Sequence, residues 1–74
     1  MVGLDEINLE MSEIMGIKIS EIRRRRKISQ KELAEKLGIT RSHLSRVETG
    51  KVKASTRLLE RIAKELNCSM KDFF

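Results

Sequence analysis

Between Gln30 and Thr49 the chain reads QKELAEKLGITRSHLSRVET, and the order of apolar, small and capping residues in this stretch decides the fold. Leu33 and Leu37 lie four apart and Leu44 and Val47 three apart, the spacings that put side chains on one face of a helix. Ser29, just before the stretch, and Glu32, three positions on, form a capping box that starts a helix over about 30–37. Gly38 ends it and can supply the positive φ of a tight turn. Thr40 is the next N-cap and opens a helix from Arg41 to about Glu48, which Gly50 closes through a left-handed position. Two such short helices can share Leu33, Leu37, Ile39, Leu44 and Val47 in one core if they cross steeply, and the small Ala34 lets them approach. The outer face of the second is then left free.

Working upstream, Ile19 and Ile22 predict a helix over about 17–26, ending in the basic run Arg23 to Lys27. Downstream, Ser55 or Thr56 starts a helix to about Leu66, with Leu58, Leu59, Ile62, Ala63 and Leu66 as a broad apolar face. Asn67 can end this helix in the left-handed conformation. Ser69 and Asp72 predict a short final helical turn that returns Met70, Phe73 and Phe74 to the core. No segment shows the alternation of a strand. The expected fold is therefore all-α, a compact five-helix domain with a possible extra N-terminal helix.

The chain has 74 residues and a formal charge of +5, but the charge is unevenly spread. Residues 1–16 carry Asp5, Glu6, Glu10 and Glu13 and no base, whereas 17–74 carry every Lys and Arg. This step suggests an acidic extension over 1–16 and a basic domain over 17–74. In the extension, Leu4, Ile7, Met11 and Ile14 share one helical face, which fits either a seam with another subunit or a helix folded back on its own domain. One cysteine, Cys68, excludes an internal disulfide and a multi-thiolate zinc cage. No apolar run approaches the roughly 18 residues of a membrane span, and no secretory leader is evident, so a cytoplasmic location is expected. With no Trp or Tyr there is little surface for stacking single-stranded bases, and a duplex is the better nucleic-acid target.

Four collinear blocks carry a resemblance that covers most of the chain: IxxIR from Ile19 to Arg23, ISQKELAEKLGI from Ile28 to Ile39, TRSHLSRVETGK from Thr40 to Lys51, and LLERIAKELNCSMKDFF from Leu58 to Phe74. Residues 17–74 resemble the phage-repressor and Cro-like (XRE) helix-turn-helix regulators, with the motif over about 30–49. The resemblance implies a lambda-repressor-like domain whose second motif helix enters the major groove of DNA. On it, Arg41, Ser42 and Arg46, with Ser45 nearby, are the expected base contacts. Gln30, Thr40, Lys51 and His43 are the expected phosphate-side residues. Arg23 and Glu48 match a family pair that forms a structural salt bridge. Lys27 departs from the family, standing where glycine is usual, so the turn there either changes or holds a strained lysine.

His43 has Ser42 and Ser45 beside it but no acid placed locally to orient its imidazole, so a nucleophile–base reading fails and DNA-side or solvent exposure is expected. Arg24 to Lys27 read first as a solvated helix end that adds long-range attraction for an anion, with membrane binding set aside. Met11, Met15 and Met70 read as core or interface filler. The expectation is a non-enzyme without metal, cofactor or small-molecule ligand: a sequence-specific duplex-DNA regulator, repressing as a homodimer on a palindromic operator. Two other readings stand beside it, the antitoxin of a toxin–antitoxin module and the controller of a restriction–modification system. A contact with RNA polymerase would permit activation.

Overall fold

A computed structural model describes residues 9–74. The chain forms α1 (Met11–Arg25), α2 (Gln30–Leu37), α3 (Arg41–Glu48), α4 (Thr56–Glu65) and a 3-10 turn, Met70–Phe73. The all-α class holds, with four α-helices and the 3-10 turn among the described residues where five helices were expected. The final segment is a single 3-10 turn, opened by the Ser69 N–H donating to Asp72 Oδ2 at 2.9 Å.

Three of the helix starts are set by local side chains. Ser29 Oγ accepts from the Glu32 N–H at 3.0 Å while Glu32 Oε1 accepts from the Ser29 N–H at 3.2 Å. Thr40 Oγ1 accepts from the His43 N–H at 3.0 Å, and Ser55 Oγ from the Leu58 N–H at 3.1 Å. Each cap satisfies an otherwise orphaned first-turn donor.

The expected start of the first helix at Ile17 is corrected: α1 begins at Met11, with the Glu10 N–H donating to Glu13 at 3.0 Å. The charge step misled because charge describes the solvent face of a segment, not its backbone. Met11 is exposed and Ile14 half-buried. Leu4 and Ile7, the other half of the expected seam, lie outside the described residues. The buried stripe of α1 is instead Gly16, Ile19, Ser20 and Arg23.

All four helices end alike, with an N–H reaching back five residues: Ile28 to the Arg23 carbonyl, Ile39 to Ala34, Lys51 to Arg46 and Cys68 to Ala63, at 2.9–3.2 Å. The residue before each of these donors is left-handed, with φ of 58° at Lys27, 72° at Gly38, 78° at Gly50 and 55° at Asn67. Asparagine tolerates that region readily, whereas lysine occupies it at a cost. The turn at the non-family residue therefore keeps its shape and strains the side-chain-bearing backbone. Lys27→Gly is expected to raise stability by about 0.5–1 kcal/mol, after the greater unfolded-state freedom of glycine is offset. Urea denaturation checks this, and an unchanged midpoint would mean the strain is already relieved.

The core is Ile19 from α1, Leu33, Ala34 and Leu37 from α2, Leu44 and Val47 from α3, Leu59, Ile62, Ala63 and Leu66 from α4 and its end, and Phe73. The second motif helix thus uses only two apolar side chains to dock. Arg41, Ser42 and Arg46 on it remain exposed.

Candidate nucleic-acid interface

α3 buries Leu44, Val47 and Glu48 and leaves Arg41, Ser42 and Arg46 as exposed residues, with Ser45 half-buried. Thr40 and Lys51, at either end of the helix, are exposed, and His43 is half-buried. Thr40 spends an acceptor lone pair on its cap and keeps its hydroxyl hydrogen to donate. Thr49 is turned inward on its own helix, donating to the carbonyls of Ser45 and Arg46 at 3.0 and 3.3 Å.

Behind this face lies a chain of polar contacts that joins three helices. Arg23, on α1, donates from Nε to Glu48 Oε2 at 2.7 Å and from Nη2 to Glu48 Oε1 at 3.1 Å, while its Nη1 donates to the Ile28 carbonyl at 2.8 Å. Both side chains are buried, so this is a two-point pair held away from solvent. Gln30, at the first position of α2, donates from Nε2 to Glu48 Oε1 at 3.0 Å. Its Oε1 accepts from Arg41 Nε at 3.4 Å. Gln30 is thus tied to α3, a contact that local spacing did not reveal because its partner lies 18 residues away.

The basic run divides by its contacts. Arg23 is consumed by Glu48, and Arg26 donates from Nε to the Leu66 carbonyl at 2.8 Å and from Nη2 to that of Asn67 at 3.3 Å, capping the end of α4. Arg26 was expected among the residues that add long-range attraction, with one direct phosphate contact in the run; it instead ties two helices 40 residues apart in sequence. Arg24, Arg25 and Lys27 remain exposed.

Gly16 is the residue that the reading of charge obscured. A Cβ built there would stand 2.5 Å from the carbonyl oxygens of both Val47 and Glu48, so the bare backbone of α1 lies against the last turn of α3. On the same seam, Ser12 Oγ donates to the Gly50 carbonyl at 3.4 Å. An isolated glycine within a helical pattern is a signal for such an approach.

Cys68 is half-buried, and burial, followed by the neighbouring Asp72 carboxylate, raises its thiol above the usual value against the opposing pull of Arg26. It is held as a neutral thiol. No group of three or more His, Cys, Asp or Glu side chains able to hold a metal ion occurs among the described residues. No helix among them is long and apolar enough to cross a membrane. Exposed Met11 and Phe74 border a groove of about 280 Å³ that reaches in to Met15, Ile19, Val47 and Val52.

The HTH_3 helix-turn-helix family model matches residues 19–73. The transcriptional regulator PuuR of Escherichia coli strain K12 is 36% identical over 59 residues, which are 80% of this chain and 32% of that protein. The chain therefore spans about a third of the length of that curated relative. Among solved structures, the clp gene regulator ClgR of Corynebacterium glutamicum superposes with a TM-score of 0.85 at 26% identity, covering 89% of this chain and 86% of that one. The restriction–modification controller protein C.AhdI of Aeromonas hydrophila superposes with a TM-score of 0.79 at 27% identity, covering 84% and 94% of the two chains.

Proposed function

The chain belongs to the HTH_3 helix-turn-helix family; from that premise we propose that it is a double-stranded-DNA-binding transcriptional regulator, a repressor acting in the cytoplasm as a homodimer on a palindromic operator. The observation that carries the reading is the division of α3, with Leu44, Val47 and Glu48 buried and Arg41, Ser42 and Arg46 exposed. An outer face of this kind fits the major groove, where each arginine can donate twice to guanine O6 and N7. Ser42 and Ser45 are permissive partners for the neighbouring bases.

Gln30, Thr40, His43 and Lys51 flank that face and are assigned to phosphate. The start of α2 adds free backbone N–H groups and its dipole. Arg24, Arg25 and Lys27 contribute attraction at a distance. A two-fold dimer would set its half-sites about 10 bp apart on one side of the duplex. Exposed Met11 and Phe74 support such an assembly, since large apolar side chains together at a surface favour a partner. The chain is read as non-enzymatic and without a cofactor.

A second reading is favoured by the similarity to C.AhdI, a restriction–modification controller. It shares the DNA-binding mechanism and differs in what is regulated.

Selection from randomised 30-bp duplexes at physiological salt, with excess competitor, tests the proposal. An enriched palindrome is expected, and Arg41→Ala should cost about 1–3 kcal/mol on it and relax choice at one position in each half-site. Salt-sensitive binding without enrichment of any sequence would overturn specific readout.

A further inference from the structure

The five bases from Arg23 to Lys27 do not share a face. Successive residues of a helix point about 100° apart, so the run fans out around the end of α1. Arg23 turns inward to Glu48. Arg25 and Arg26 border a cleft that Cys68 and Asp72 close from the other side. Arg24 borders a different groove, of about 500 Å³, which Gln30, Glu48 and Thr49 line with it. The chain reverses at Lys27, where the Ile28 N–H donates to the Arg23 carbonyl at 3.2 Å, so the last turn of α1 and the start of α2 are neighbours. Arg24 is exposed, and its guanidinium is not engaged among the described residues. It is also the one base among the residues that line this groove.

We infer that Arg24 makes a direct contact with a DNA phosphate, beyond the attraction at a distance that it shares with Arg25, and that Arg25 and Arg26, on the other side of α1, make none. This rests on the reading of the α3 face and the start of α2 as the DNA interface, and it extends that interface onto α1. The planar fork of a guanidinium matches the oxygens of a phosphate, and Arg24 supplies it where the helix start across the groove already favours an anion. Glu13 and Glu21 border the same groove on earlier turns of α1 and repel an anion there, which confines the phosphate to the end beside α2. Contact and distant attraction have separable signatures. Exposed charges farther apart than about 8–10 Å are largely screened at physiological salt, whereas a phosphate held in contact releases its counterion.

The test titrates the full chain with the selected duplex and with a scrambled duplex of the same length over a range of salt, for wild type, Arg24→Gln, Arg24→Lys and Arg25→Gln. Arg24→Gln should weaken both duplexes about tenfold and make the slope of log K against log salt shallower by about 2 for a dimer, one phosphate contact per protomer. Arg25→Gln removes the same charge, yet should weaken binding by less than about threefold and leave the slope nearly unchanged. Arg24→Lys should keep most of the affinity, because a point charge still reaches the phosphate. Equal losses in Arg24→Gln and Arg25→Gln would show that only net charge counts. A loss confined to one base pair of the selected duplex would make Arg24 a base contact. Either result overturns the inference while leaving the DNA reading in place. If wild type itself binds neither duplex in a salt-sensitive way, the DNA reading fails and the inference falls with it. Thermal midpoints are measured alongside, and Arg24→Ala makes the same comparison should the glutamine variant lose its fold.

Discussion

Glu48→Ala is expected to cost about 3–5 kcal/mol of folding stability, the usual penalty for leaving one member of a buried ion pair alone. The Arg23 side chain is 9% exposed and gives two of its nitrogens to Glu48 at 2.7 and 3.1 Å, so removal of the carboxylate leaves a charge shielded from water with only the neutral Ile28 carbonyl, at 2.8 Å, to accept from it. Arg23→Met should be comparably harmful, stranding the Glu48 carboxylate with only Gln30 as donor. The double variant Arg23→Met with Glu48→Leu should recover much of the loss, since apolar side chains of similar volume carry no desolvation penalty. For a domain whose whole stability is about 5–15 kcal/mol, either single change brings much of the population near unfolding. Guanidinium denaturation of the three variants decides the matter. Single variants within about 0.5 kcal/mol of wild type, the range of an exposed pair, would show that water reaches the site.

Gly16→Ala is the second large effect, and its sign runs against helix propensity. In an open helix the substitution should stabilise by about 1 kcal/mol. Here the new methyl would stand 2.5 Å from two backbone oxygens and 2.8 Å from the Glu48 carbonyl carbon, none of which can turn aside as a side-chain tip would. The helices must separate, and overpacking of this kind costs about 1–3 kcal/mol or more, so a net loss of roughly 2 kcal/mol is expected. Ile17→Ala, at the exposed position beside it, should be nearly neutral. Thermal denaturation compares the pair. A Gly16→Ala protein as stable as wild type would mean that the first half of α1 does not rest on α3 in solution. If the loss is found, operator affinity should fall with it, because the displaced atoms belong to the last turn of the helix that carries Arg41 and Arg46.

The limits of α2 and α3 were legible in the sequence because they depend on contacts spanning a few residues. Ser29 and Glu32, Thr40 and His43, and Gly38 with its positive φ each close within one turn. The start of α1 was misplaced for the opposite reason: the change in charge at residue 16 marks a change of surface, and the helix passes through it. The glycine at that point was itself the available clue, since a helix interior carries such a residue at a cost that a close approach repays.

The exposed arginine face of α3 could be anticipated from which α3 residues must turn inward. The contact between Arg23 and Glu48 came from a resemblance to known regulators, and their spacing of 25 residues contains no local rule that would pair them. Arg26 illustrates the point more sharply. In sequence it is one base among five; in the fold it is the cap of α4.

By itself, then, the amino-acid sequence determined the limits of α2 and α3, most of the apolar core, and that a basic all-α domain would present a free helix; it did not determine the start of α1 or the exposure of Phe74. Only the tertiary structure decided which charges are consumed inside the protein and which remain for DNA. Caps and apolar stripes arise from backbone geometry repeated every three or four residues, so they can be read along the chain. A buried charge finds its partner only when helices cross, and the crossing depends on close approaches such as that of Gly16 to the last turn of α3.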